Sequence, residues 1–267
     1  MPLLLTVDVG NTNTVLGFFE GERLEATARV TTVRERTSDE HVLLLRELLA
    51  AKGIARERVA DVIVSSVVPS QDFSIRSASR DAFGVDPLFV APGIKTGMRI
   101  LYDHPSEVGA DRIVNAVAAF ERYGGPCVVV DFGTATTFDV ISAAGEYLGG
   151  AICPGTQIGA DALFSRAARL ARVDLHRPER AIGKTTAQSV QSGLYFGTIA
   201  MAEGLIARIR AELGAPELKV VATGGLAPLF AASSPELSTT DPDLTLEGLR
   251  ILWERNRDLR GAAARAS

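Results

Sequence analysis

The chain has 267 residues, 46% hydrophobic and 22% charged, with a formal net charge of −4; this suits one large or two modest globular domains and, with no long basic run, argues against a nucleic-acid partner. Two cysteines, Cys127 and Cys153, lack zinc spacing and are too few for a disulfide framework, so a reducing, cytoplasmic setting is expected. Asp8 interrupts the N-terminal apolar run too early for a signal peptide, and no stretch approaches the ~20 apolar residues of a membrane span.

Leu3, Leu4, Leu5 and Val7 lead into Asp8, and after a short polar turn the chain resumes as Val15-Leu16-Gly17-Phe18-Phe19. That pattern predicts strand, tight turn, strand. Asn11, Thr12, Asn13 and Thr14 crowd the turn. Gly10 lets the backbone approach a ligand closely, and free N–H groups and hydroxyls there suit phosphate oxygens. A carboxylate repels phosphate, so Asp8 makes sense if a cation, usually Mg²⁺, sits between them. A solvated hairpin accounts for the same residues equally well. A third strand is expected over 23–33. Ser38-Asp39-Glu40 opens a helix, with Ser38 as its cap and the acids at its positive end. Leu43, Leu44, Leu48 and Leu49 form its apolar face, and Gly53 ends it. A buried strand at 59–68, a helix at 70–83 and a short strand at 87–90 follow.

Residues 91–108 have little periodicity, and a loop of that length inside a compact domain is usually functional. It leads into Gly109-Ala110-Asp111-Arg112 and a helix to about 123. Gly124-Gly125-Pro126 is the clearest boundary. Beyond it the opening plan recurs: an apolar strand ends in Asp131-Phe132-Gly133, a Thr-rich turn follows, then a β-rich run. The repeat suggests a duplicated fold, with domains at 1–124 and 125–257 facing each other across a cleft. Each would give one hairpin to the same phosphate chain. Strands at 127–132, 136–142 and 145–153, a helix at 157–172 and a loop at 175–184 are expected. A long helix at 186–213, a strand at 218–222 into Thr223-Gly224-Gly225, and a helix at 244–253 complete the chain. The tail from 258 should fray.

Three strands, then helix, strand, helix, strand: the first half resembles the ribonuclease-H-like fold. Five motifs then occur in order: Asp8-Val9-Gly10-Asn11-Thr12-Asn13; Gly109-Ala110-Asp111-Arg112; Asp131-Phe132-Gly133-Thr134-Ala135-Thr136-Thr137; Gly149-Gly150-x-x-x-Pro154-Gly155; and Ser192-Gly193. Together they resemble type III pantothenate kinase, a family in the superfamily of acetate kinases, sugar kinases, heat-shock ATPases and actin. The resemblance spans about 3–230. It implies an α/β fold of two ribonuclease-H-like domains, and ATP-dependent phosphorylation of pantothenate at its terminal hydroxyl, the first step toward coenzyme A.

The resemblance also implies roles for single residues. Asp111 matches the family's base; a carboxylate opening a helix is well placed to accept the hydroxyl's proton, although it could merely favour the helix N-terminus or pair with Arg112. Gly109, Ala110 and Arg112 would bind pantothenate with it, Arg112 offering a fork of donors to the carboxylate. Tyr102 and Thr186 match further pantothenate contacts. Asp131 matches a ligand for potassium or ammonium; a structural Asp accepting turn N–H bonds is the plainer account. Thr134 matches an ATP contact, and Asp8, Val9, Gly10, Asn11, Thr12, Asn13, Thr14 and Val15 would take the phosphates with Mg²⁺. Thr223-Gly224-Gly225 stands where the superfamily packs adenosine; a plain strand-to-helix turn accounts for it equally well. Family members pair, so a homodimer is implied.

Gly183-Lys184-Thr185 resembles the end of a P-loop, but Pro178 stands where that motif needs Gly, and no strand precedes it. His41, His104 and His176 form no ligand pattern. There is no Gly-x-Ser-x-Gly elbow. Two other readings remain: a superfamily kinase for another small hydroxyl or carboxyl substrate, and a non-catalytic accessory regulator of gene expression. Loss of Asp111 or of the paired Asp-x-Gly turns would favour the regulator, and neither is lost.

Overall fold

The computed structural model describes residues 1–167, 170 and 172–263. They form two compact units. The first comprises Met1–Met98, Asp103–Ala118 and the chain from Leu244. Its sheet holds β1 (Leu3–Val9), β2 (Asn13–Glu20), β3 (Arg23–Thr31), β4 (Val59–Ser66) and β5 (Leu88–Phe89), in the order β3-β2-β1-β4-β5. β1, β2 and β3 run antiparallel, while β4 and β5 are parallel to β1. Successive strand residues point to opposite faces. Leu3, Leu5, Val7 and Val9 therefore enter one core, where they meet Leu16, Phe18, Val62 and Val64.

Helices α1 (Ser38–Ala51) and α2 (Pro69–Phe83) add Leu49 and Ile75 to that core. The cap of α1 is Thr37, one residue before the expected Ser38: its hydroxyl accepts the Glu40 N–H while the Glu40 side chain returns to the Thr37 N–H. The buried face is also rotated. Val42 and Leu49 are buried with Leu45 beside them, whereas Leu43 is exposed. Positions 42, 45 and 49 share a face at helical spacing, and Leu43 turns about 100° away.

The opposite face of the sheet takes α7 (Leu244–Ala263). Gly17 permits the approach: a Cβ there would stand 2.7 Å from Thr6 Oγ1 and 3.0 Å from Leu246. At Gly248 of α7 a Cβ would overlap the Val114 carbonyl of α3 (Ala110–Tyr123). The first unit is thus not the linear segment 1–124, because α7 returns to it to bury Leu244, Leu246, Leu249 and Leu252. Helix α7 runs past the expected end at 253 to Ala263, and 264–267 lie outside the described residues.

The second unit comprises Arg99–Tyr102 and Ala119–Asp243. Its sheet orders β10 (Lys219–Thr223), β7 (Cys127–Phe132), β8 (Ala135–Ile141), β9 (Glu146–Pro154) and β6 (Arg99–Ile100). β7, β8 and β9 are antiparallel and β10 is parallel to β7. The order β9-β8-β7-β10 repeats β3-β2-β1-β4, and a parallel bridge from Ala222 to Thr240 marks the fifth position. The duplication read from two motifs is therefore a duplication of topology. Val128, Val130, Phe132, Phe138 and Val140 pack against Tyr195, Ile199 and Ile206 of α5 (Thr186–Glu212). β6 is a two-residue edge strand inside the expected 91–108 loop. Helix α4 (Thr156–Arg166) is shorter than the expected 157–172, of which 168, 169 and 171 lie outside the described residues. The short α6 (Ala227–Ala231) was not expected.

Candidate active site

The β1–β2 turn is closed by the Gly10 N–H donating to the Asn13 carbonyl at 3.0 Å. A Cβ on Gly10 would stand 2.9 Å from that same oxygen, so the tight turn itself requires glycine. Asn11 and Thr12 are exposed at the tip, and Asp8, Asn13 and Val15 are half-buried. Val9 belongs to the core. The Thr14 hydroxyl turns inward to Thr32 Oγ1 at 2.8 Å. The side chains of Val9 and Thr14 are thus turned into the fold. Arg34 Nη2 donates to Asn11 Oδ1 at 3.0 Å.

The segment behind Arg34 is pinned from below. Gln71, buried on α2, donates to the carbonyls of Arg34 and Arg36. Its own oxygen accepts the His41 Nε2–H at 2.6 Å. Burial holds the His41 ring below the usual histidine range.

Gly109, Ala110, Asp111 and Arg112 come together where α3 begins. The Gly109 carbonyl accepts the N–H groups of Arg112 at 3.1 Å and Ile113 at 3.3 Å, so Gly109 stands at the cap. Glycine has no capping side chain. Asp111 supplies one instead: its Oδ1 accepts the Arg112 N–H at 2.9 Å. A Cβ on Gly109 would lie 2.6 Å from that oxygen, which explains glycine two residues before the acid. Burial pushes the Asp111 carboxyl above the usual carboxylate range, and the Arg112 N–H and charge oppose it. Arg112 is buried.

In the second unit, Asp131 is the penultimate residue of β7 and is half-buried. The following turn is closed by the Gly133 N–H donating to the Ala135 carbonyl at 3.1 Å, one residue tighter than the first. Thr134 is exposed at its tip. Gly224 follows β10 with φ +89°, and a Cβ there would overlap the Asp131 carboxylate. Gly155 caps α4, and a Cβ there would overlap the Thr134 carbonyl. The fold thus gathers Asp131, Thr134, the start of α4 and Gly224. No side chain caps α4, and the N–H groups of a helix start favour anions.

Tyr102 stands in the second unit beside Tyr147, ring centroids 6.4 Å apart, and against Gly149, where a Cβ would be 3.4 Å from the ring. The Tyr147 hydroxyl donates to Asp139 Oδ1 at 2.8 Å, and the Thr137 hydroxyl to Asp139 Oδ2 at 3.2 Å. Sequence reasoning missed Asp139, which is fully buried. The available signal was an acid alternating with Thr137 on β8, whose register partner is Asp131.

Thr186 is the exposed first residue of α5. Thr185 caps that helix, accepting the Gln188 N–H at 3.2 Å, and Gln188 Oε1 accepts the Lys184 N–H at 2.8 Å. A Cβ on Gly183 would stand 2.5 Å from the Ser189 nitrogen. Gly183-Lys184-Thr185 is therefore a helix start, as its failed P-loop match suggests. His104 and His176 are exposed. Among the described residues no three His, Cys, Asp or Glu side chains cluster to hold a metal.

A family model described as type III pantothenate kinase matches residues 4–208. The chain belongs to the type III pantothenate kinase family. The family member from Koribacter versatilis (strain Ellin345) is 54% identical over 265 residues, with 96% of each chain covered. That from Anaeromyxobacter dehalogenans (strain 2CP-C) is 56% identical, covering 96% of this chain and 100% of its own. Among solved structures, a Campylobacter jejuni protein described as a Baf family transcriptional activator superposes with a TM-score of 0.61. It is 18% identical, with 95% of this chain and 99% of its own covered, and so shares the fold alone. Both the family resemblance and the two-domain α/β fold expected from the motifs are borne out.

Proposed function

We propose that this chain transfers the γ-phosphoryl group of ATP to the terminal hydroxyl of pantothenate. Members of its family phosphorylate pantothenate in coenzyme A biosynthesis. The observation that carries the reading to this chain is Asp111: a half-buried carboxylate at the start of α3, with Gly109 making room for it. Burial makes it a stronger proton acceptor than an exposed carboxylate. It holds the pantothenate hydroxyl in line and takes its proton as the phosphoryl group moves. Gly109, Ala110 and Arg112 bind pantothenate at the same helix start, Arg112 facing its carboxylate, and Tyr102 and Thr186 complete the substrate contacts.

In this reading each Asp-x-Gly turn is a phosphate contact. Asp8 through Val15 serves through backbone N–H groups and the exposed Asn11 and Thr12, and Thr134 serves from the second turn. Among the described residues no metal-binding cluster surrounds the Asp8 carboxylate. That suits Mg²⁺, which is commonly held by one or two carboxylates, phosphate oxygens and its own waters. The cation supplies charge to the transferring phosphate. Asp131 holds potassium or ammonium, in a cradle kept open by Gly224. We place the enzyme in the cytoplasm as a homodimer, without nucleic-acid or membrane partners; no helix among the described residues is long and apolar enough to cross a membrane. ADP release measured with pantothenate and with a panel of other small alcohols tests the reading. Pantothenate should stimulate release above every other acceptor; an equal or better alcohol would move the chain to another substrate.

A further inference from the structure

β4 runs parallel to β1, and their register pairs Asp8 with Ser65. Neighbouring strands lie about 4.8 Å apart, and paired residues present their side chains to the same face. The Ser65 hydroxyl is therefore on the Asp8 face of the sheet, at the end of the strand that carries the first turn. Ser65 is fully buried, and its Oγ has no hydrogen-bond partner among the described residues. Three other buried or half-buried hydroxyls of this unit are satisfied. Thr6 donates to the Gly17 carbonyl at 3.2 Å, Ser66 accepts the Val68 N–H at 3.2 Å, and Ser79 donates to the Val85 carbonyl at 2.7 Å. An unpaired buried hydroxyl is destabilising, and alanine would fill the place without that cost. A serine there points to a partner that comes and goes.

We propose that Ser65 is a positioning residue for the divalent cation that accompanies the nucleotide. This rests on the functional reading above. A cation-bound water can only donate, and a serine oxygen can accept. With the cation at Asp8, Ser65 Oγ accepts from one of its waters and directs its own proton to the Asp8 carboxylate. Mg²⁺ gives up its waters reluctantly, so groups that grip those waters set its affinity almost as the direct ligands do.

Thermal melts of the full chain test this, without ligand and with ADP while Mg²⁺ is titrated. Ser65→Ala should melt at or above wild type without ligand. It should need ~10-fold more Mg²⁺ for half-maximal stabilisation by ADP. Ser79→Ala is the contrast: it loses a satisfied bond, so it should melt lower with the Mg²⁺ midpoint unmoved. An unchanged Mg²⁺ midpoint in Ser65→Ala, while wild type responds to Mg²⁺ and ADP, overturns this proposal alone. A wild-type chain that ADP stabilises equally with and without Mg²⁺, or not at all, overturns it together with the nucleotide reading.

Discussion

In the proposed reaction Asp111 joins catalysis and stability in one side chain. Its carboxyl is raised by burial, so the folded chain holds its proton to higher pH than the unfolded chain does. Stability therefore falls as pH rises from the ordinary carboxylate value of about 3.9 through the raised value, and stays lower above it. Asp111→Asn keeps an acceptor for the Arg112 N–H and removes the buried charge. It should melt higher than wild type at pH 7 while kcat falls ~10²-fold or more. Near-wild-type turnover would remove Asp111 from the chemistry, and a lower melting temperature would contradict the electrostatic account. Asp8, Asp111 and Asp131 were legible because acids beside glycines are conspicuous in sequence. Ser65, Gln71 and Asp139 were not. Each is an ordinary polar residue whose meaning lies in strand register or a buried partner, and neither is written in spacing.

At the scale of elements, short polar turns were easier to read than what presses on them. Nothing in Thr223-Gly224-Gly225 as a string says that Gly224 makes room for the Asp131 carboxylate. The prediction follows from that contact. Gly224 combines φ +89° with a Cβ position inside the carboxylate, so Gly224→Ala must move one or the other. Wild-type turnover should be faster in potassium than in sodium at equal ionic strength, which equalises screening. Gly224→Ala should lose that preference. Equal wild-type rates in the two salts would return Asp131 to a structural role. Strand positions were read to within a residue or two because β7 and β1 are almost wholly apolar. β6 and α6 were missed because two and five residues carry too little periodicity. Leu43 was misassigned because a run of leucines hides which of them share a face.

For the whole molecule, the duplicated topology was legible and the path of the chain was not. The repeat of Asp-x-Gly turns announces two similar sheets, but a linear boundary cannot show that α7 closes the first unit. That helix looks like the end of the second half until its leucines are found against β1. Leu249→Ala, at a fully buried position of α7, should destabilise the chain by ~2–5 kcal/mol in denaturant unfolding. A change below ~0.5 kcal/mol would mean that α7 is dispensable to the first unit. The proposed activity also belongs to the whole molecule: phosphate moves from ATP to pantothenate rather than to water. Phosphorus NMR of a reaction with ATP, Mg²⁺, potassium and pantothenate measures this directly. The account predicts one new phosphomonoester resonance, rising in step with ADP and absent without pantothenate. ADP accompanied by inorganic phosphate in its place, at a rate indifferent to pantothenate, would contradict it.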